Sequence, residues 1–110
     1  MSWWRKGPKE SSLEDWARLR AHELGLLFVK ISPTLGVKYW PDRLVAHPDA
    51  PPAFLELKRF GDEPTEEQFT ILNQLADEGY LTGWADTKPL IEAFFQRVLG
   101  ARRRPKRGAR

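Results

Sequence analysis

Three residues in the middle of the chain have types and a spacing that could do chemistry: Asp42, Glu56 and Lys58. Glu56 and Lys58 interrupt the apolar run "AFLELKR" (53–59), which reads as a strand. Strand side chains alternate between faces, so Leu55 and Leu57 share one face while Phe54, Glu56 and Lys58 share the other. "DRLVAH" (42–47) reads as a preceding strand, with "PDAPP" as the hairpin loop between them. A turn centred near residue 50 makes paired positions sum to about 100. Asp42 then lies opposite the stretch around Lys58, and Asp42 and Glu56 meet at one end of the hairpin. Two carboxylates and an ammonium on a hydrophobic strand cost desolvation unless something offsets it. A hard divalent cation does so. Mg²⁺ takes oxygen ligands from one or two carboxylates and keeps several waters, and substrate phosphate oxygens can complete the shell. The competing reading is a solvated ion pair worth about 0–1 kcal/mol, because Glu-x-Lys is a common triplet. Pro41-Asp42 at hairpin distance and Gln68 at the start of the next helix favour the metal site.

The elements that must position these groups can be read from the flanking sequence. Residues 1–10 form a leader in which Gly7 and Pro8 interrupt any helix. Ser11 and Glu14 have the spacing of a capping box, and Leu13, Trp16, Ala17, Leu19 (less well phased) and Leu24 give a helical apolar stripe that Gly25 ends. "LLFVKIS" (26–32) is a strand and "PTLGVKY" a loop. After the hairpin, Thr65 and Gln68 form a second capping box, with Phe69, Leu72, Leu75 and Ala76 facing inward as far as Gly79. "YLTGWA" (80–85) is a fourth strand. Thr87 caps a third helix with Leu90, Ile91, Phe94, Phe95 and Val98 on its inner side. The order α-β-β-β-α-β-α predicts an α/β or α+β sandwich around one mixed sheet, with the body at 11–100 and a tail at 101–110.

Composition bounds the rest. The 110 residues suffice for one domain with a modest core, and 41% hydrophobic residues is a globular composition. There is no apolar run of membrane-spanning length and no signal-peptide stretch in "MSWWRKGPKE". Without cysteine there is no disulfide framework and no thiolate metal site. A cytoplasmic protein without a membrane partner is expected. The net charge of +3 hides a split: residues 102–110 carry six Lys/Arg and no acid, leaving 12 basic and 15 acidic residues before them. Such a block is often an interaction arm. Arg102, Arg103, Arg104, Lys106 and Arg107 are therefore candidate contacts to a polyanion such as DNA or RNA; a solubilising tail is the alternative.

The series "WPDRLVAH" and "FLELKRFGDEPTEEQ" resembles the PD-(D/E)XK nuclease superfamily and, within it, the VRR-NUC domain, the virus-type replication–repair nuclease found alone in phages. The resemblance runs from about Ser12 to Leu99. It includes the helix "LEDWARLRAHELG", the Pro41-Asp42 turn, Glu56-Leu57-Lys58, and Gln68 within "PTEEQ". It implies Asp42 and Glu56 as metal ligands, the Leu57 carbonyl as a third oxygen donor, and Lys58 to activate water and stabilise charge at phosphorus. Glu14 matches the acidic residue of the family's first helix and would reach the metal directly or through water. Gln68 would position Lys58 or the substrate. The implied cofactor is Mg²⁺, with Mn²⁺ as a substitute. The implied partner is DNA, in branched form by analogy with Holliday junction resolvases. Those act as dimers, so a homodimer and a phage or prophage setting in a host cell are expected. One departure stands out. The family often has Gly two residues before the proline, where this chain has Tyr39, which would narrow the turn or stack on a base. Lys30 and Lys38 lie just upstream, as phosphate contacts or as solvated lysines.

Other candidates have plainer explanations. His22 and His47 lack a second ligand at metal spacing. Asp49 and Asp86 read as turn or cap residues, and Asp62, Glu63, Glu66 and Glu67 as loop and helix-start charges. Trp16 and Trp84 fit the core pattern, whereas Trp3 and Trp4 stand beside Arg5, Lys6 and Lys9 as a base-stacking or partner-docking leader. The alternative to an enzyme is a non-catalytic nucleic-acid-binding module of the same fold. The joint presence of Asp42, Glu56 and Lys58 favours catalysis.

Overall fold

The computed structural model describes residues 10–32 and 38–101. Their elements are α1 (Glu10–Glu23), β1 (Leu27–Lys30), β2 (Arg43–Ala46), β3 (Ala53–Leu57), α2 (Glu66–Asp77), β4 (Leu81–Ala85) and α3 (Lys88–Gly100). This is the α+β order expected from the sequence. The strands form one sheet in the order β1-β2-β3-β4, antiparallel at the first two pairings and parallel at the third. The parallel pairing follows from α2, which carries the chain back so that β4 starts at the same end as β3. Among the described residues, no helix is long and apolar enough to cross a membrane.

The helix ends show why these segments stop and start where they do. Thr65 caps α2 by accepting from Gln68 N–H (3.2 Å), and the Gln68 side chain accepts from Thr65 N–H (2.9 Å). Both halves of the expected capping box are therefore present. Thr87 caps α3 by accepting from Leu90 N–H (3.4 Å). The end of α1 is a Schellman turn: Gly25 takes φ +75°, Leu26 N–H donates to the Ala21 carbonyl and Gly25 N–H to that of His22. The start of α1 differs from expectation. The helix already includes Ser11, so Ser11 is not its cap.

The two sheet faces are used differently. Val45, Ala53, Leu55 and Leu57 point to the face covered by α1 and α3, where they meet Leu13, Ala17, Phe95 and Val98 in the core. Packing there is close: a Cβ on Gly83 would sit 2.9 Å from the Phe94 ring. The other face is covered at β4 by α2, where Phe69 stands edge-on to Trp84 with ring centroids 6.5 Å apart. Trp84 is thus half-buried beneath α2 rather than within the main core. Leu19, Ala76 and Leu90, read as inward-facing, are exposed. Leu19 lies two residues from buried Ala17, about 200° around the helix. Only one arc of each helix touches the sheet, and these three lie outside it.

Candidate active site

The hairpin register decides which side chains meet. Arg43 pairs with Leu55 and Leu44 with Phe54, so paired positions sum to 98. Continued by one residue, that register sets Asp42 opposite Glu56, not opposite Lys58 as a turn at residue 50 predicts. The two-residue slip preserves facing, because strand side chains repeat every second residue, and it brings the carboxylates into closer register. Ile31 N–H donates to the Asp42 carbonyl (2.8 Å), tying this end of β2 to the chain leaving β1.

Each acid is held by its own neighbours. Asp42 Oδ1 accepts from the backbone N–H of Leu57 (3.1 Å), and Oδ2 pairs with a terminal nitrogen of Arg43 (3.0 Å). Glu56 Oε2 accepts from Gln68 Nε2 (3.1 Å) and lies 3.5 Å from Lys58 Nζ. Glu56 Oε1 is buried with no hydrogen-bond partner. Glu56 is only 5% exposed, and that burial is the main reason its carboxyl is pushed up to about 7. The charge of Asp42 pushes the same way, and Lys58 opposes it. Asp42 is also raised by burial, against the Leu57 hydrogen bond and the charge of Arg43.

Gln68 therefore has two tasks, one at each end of its amide. Its oxygen closes the α2 cap and its nitrogen holds Glu56. The capping box thereby fixes the first turn of α2 against the site. The resemblance implied that Gln68 positions Lys58 or the substrate; the contact found is instead with the Glu56 carboxylate.

Arg43 was not singled out by the sequence reading. It is 2% exposed and bridges two elements: one terminal nitrogen lies 3.1 Å from Glu14 Oε2 on α1 while the other reaches Asp42. Its Nε is buried and unpartnered. Glu14 is thus joined to the site through Arg43. The signal was available: position 43 alternates with Asp42, so it faces the core, and a charge there requires a buried acid.

The remaining candidates divide. Lys38 lines the same concavity as Tyr39, Trp40, Asp42, Glu56 and Gln68, a cavity of about 350 Å³. Lys30 pairs with Arg43 across the β1–β2 ladder, which puts it on the Glu14 face rather than the Glu56 face, and it does not line the cavity. Asp86 accepts from Gly61 N–H (3.0 Å) and ties the loop after β3 to the end of β4. The His47 ring accepts from Asp49 N–H (3.0 Å), a turn contact. Arg102, Arg103, Arg104, Lys106 and Arg107, like Trp3 and Trp4, lie outside the described residues.

The residues present fit a hard divalent cation. The donor set is all oxygen, and a buried carboxylate oxygen without a partner is what a cation would satisfy. Among the described residues, no group of three or more His, Cys, Asp or Glu is gathered at one point. Asp42 and Glu56 would hold the ion with the Leu57 carbonyl, water and phosphate oxygens completing the shell.

No protein-family model matches the sequence, and no curated protein matches it. Solved structures do. A VRR_NUC domain is similar with a TM-score of 0.71 at 23% identity, over 82% of this chain and 97% of that one. A VRR_NUC domain protein is similar with a TM-score of 0.70 at 19% identity, over 88% and 93%. At such identities the likeness is one of fold: this chain has the fold of the solved VRR_NUC domains.

Proposed function

We propose that the chain is a VRR-NUC-type, divalent-metal-dependent DNA endonuclease that hydrolyses phosphodiester bonds. The observation that carries this reading is the buried Glu56 set opposite Asp42, beside Lys58 and with one carboxylate oxygen unpartnered. A carboxylate in that state serves folding poorly and serves a cation well. Bound Mg²⁺ or Mn²⁺ would lower the pKa of a water ligand and neutralise charge on the phosphoryl oxygens. Asp42 is oriented by Leu57 N–H and Arg43, and Glu56 by Gln68. Lys58 places a cation beside Glu56, where it would stabilise negative charge developing at phosphorus. Glu14 acts through Arg43.

Branched DNA is the proposed substrate, and a homodimer the proposed state, because a four-way junction offers two scissile strands related by a two-fold axis. The basic tail would supply phosphate contacts. Deleting residues 102–110 is expected to weaken DNA binding and to flatten its salt dependence, since fewer counterions are released. An unchanged slope would leave the tail without that role.

The test is cleavage of labelled four-way junction, flap, duplex and single-stranded DNA with Mg²⁺, Mn²⁺ or EDTA, by wild type and Lys58→Ala. Metal-dependent cleavage lost in Lys58→Ala supports the nuclease, and paired symmetric cuts in the junction support a dimeric resolvase. Retained binding with no cleavage under either metal would instead favour a non-catalytic binding module.

A further inference from the structure

Tyr39 is the one non-glycine residue in the left-handed region among those described, with φ +69°. A β-carbon is disfavoured there and glycine is not. Tyrosine gains no compensating burial, for it is 44% exposed. Its neighbour is held firmly. Trp40 stands edge-on to Phe54 (centroids 6.0 Å apart), and Phe54 edge-on to Tyr80 (5.6 Å). The row anchors residue 40 to the sheet, and Tyr39, next to that anchor, lines the same cavity as Asp42 and Glu56. Lys38 Nζ lies 5.8 Å from the Tyr39 ring centroid. Backbone strain kept at an exposed aromatic residue beside a site points to a use for the side chain.

We infer that Tyr39 is a stacking platform for an unpaired nucleobase next to the scissile phosphate, with Lys38 beside it for the adjoining phosphate. The inference rests on the nuclease reading and adds a specificity determinant to it. A ring with a cation alongside matches the two parts of a nucleotide, a π-face and an anion. Stacking on a base is stronger than an exposed cation–π contact, so an arriving base can displace Lys38 from the ring and leave it for the phosphate. A paired base has both faces covered by its neighbours in the duplex. Tyr39 therefore selects strands in which a base is unstacked, as at a flap, an opened branch point or a single strand.

The test uses the full chain carrying Glu56→Gln, so that bound DNA stays intact, with and without Tyr39→Gly. The probes are a fluorescein-labelled single strand, the same strand containing 2-aminopurine, and the matching duplex. Tyr39→Gly should weaken single-strand binding roughly 5- to 100-fold, change duplex binding by less than about twofold, and relieve the quenching of 2-aminopurine. Tyr39→Phe should restore all three. Because glycine suits the backbone at this position, the melting temperature of Tyr39→Gly should not fall, which separates loss of stacking from loss of fold. Equal single-strand affinity with and without Tyr39→Gly would overturn the platform and leave the nuclease reading intact. Wild type that neither binds nor cleaves any DNA would overturn both.

Discussion

Two clusters of acids and bases sit in this small domain, and they are built on opposite terms. One joins α1 to α3. Arg20 grips Glu92 with two nitrogens, at 2.7 and 3.0 Å, and also reaches Glu23, while Gln96 donates to Glu92 at 2.9 Å. The Arg20 hydrogen bonds hold the Glu92 carboxyl down to about 2. The other joins β2, β3 and α2. There Glu56 has one partnered oxygen and one bare one, and burial pushes it up to about 7. Both clusters contain acids beside cations. In the first each charge is matched by a neighbour, as holding two helices together requires. In the second, Asp42 and Glu56 face each other with both Asp42 oxygens and one Glu56 oxygen partnered, and Glu56 Oε1 left without a donor. That difference is the ground on which we propose the second cluster as a ligand site, because a cluster that serves folding alone has no reason to leave a buried carboxylate oxygen short of a partner.

The sharpest way to test that contrast is Glu56→Gln. If Glu56 is a ligand, cleavage should fall on the order of 10³-fold or more, with DNA binding retained. Asp42→Ala should do the same. Cleavage preserved in either variant would reject the metal-site assignment. Arg43→Leu comes next, because Arg43 serves both folding and site. Removing it leaves Asp42 and Glu14 without their cation, at a cost of about 2–4 kcal/mol in unfolding free energy. A neutral effect in denaturant titration would show that the buried arginine is dispensable.

The pH dependence of metal-free stability separates the clusters further. Glu56 has a carboxyl near 7 in the folded chain against an ordinary value of 4.5. The folded state therefore binds more protons than the unfolded state between those values, and stability falls as pH rises through that window. The loss is on the order of 3 kcal/mol. Asp42, raised in the same direction, adds to it. Glu56→Gln should flatten this limb and melt several degrees higher than wild type at pH 8 without metal. Adding Mg²⁺ should stabilise wild type and not the variant. A wild-type profile that is level from pH 4.5 to 7 in EDTA would contradict the assigned burial of Glu56.

Much of this arrangement was legible in the chain, for identifiable reasons. The alternation of Leu55, Glu56, Leu57 and Lys58 put the charged pair on one face whatever the register. The Thr65–Gln68 capping box placed the start of α2 to the residue. The hairpin register was read two residues off, since the loop's Pro and Asp residues allow more than one turn centre, but a slip of two keeps faces intact. What the sequence hid were contacts between elements far apart in the chain. Alternation with Asp42 sets Arg43 on the core face, but only the packing of α1 on the sheet shows which acids it meets there, Glu14 and Asp42. Periodicity likewise overextended the buried arcs to Leu19, Ala76 and Leu90, because an apolar type signals compatibility with burial without establishing it.

The smallest effect belongs to the helix clasp, and it closes the comparison. Glu92 is held below its ordinary value of 4.5, at about 2. Here the unfolded state binds more protons than the folded one as pH falls from 4.5 toward 2, so the clasp's contribution is complete above that window and is lost on acidification. That is the reverse of Glu56. The clasp is about one-third exposed on both sides, and solvent and salt screen it. Glu92→Gln should therefore cost less than about 1 kcal/mol at neutral pH, less still in high salt, and least near pH 2. Cleavage should not change, because the clasp lies on the α1–α3 side of the sheet and Glu56 on the other. Denaturant midpoints at pH 2, 4.5 and 7 with and without added salt would measure this. If Glu92→Gln instead lowered cleavage at unchanged stability, the two clusters would be coupled through α1, by way of Glu14 and Arg43, and the division between a satisfied structural pair and an unsatisfied site would have to be redrawn along that helix.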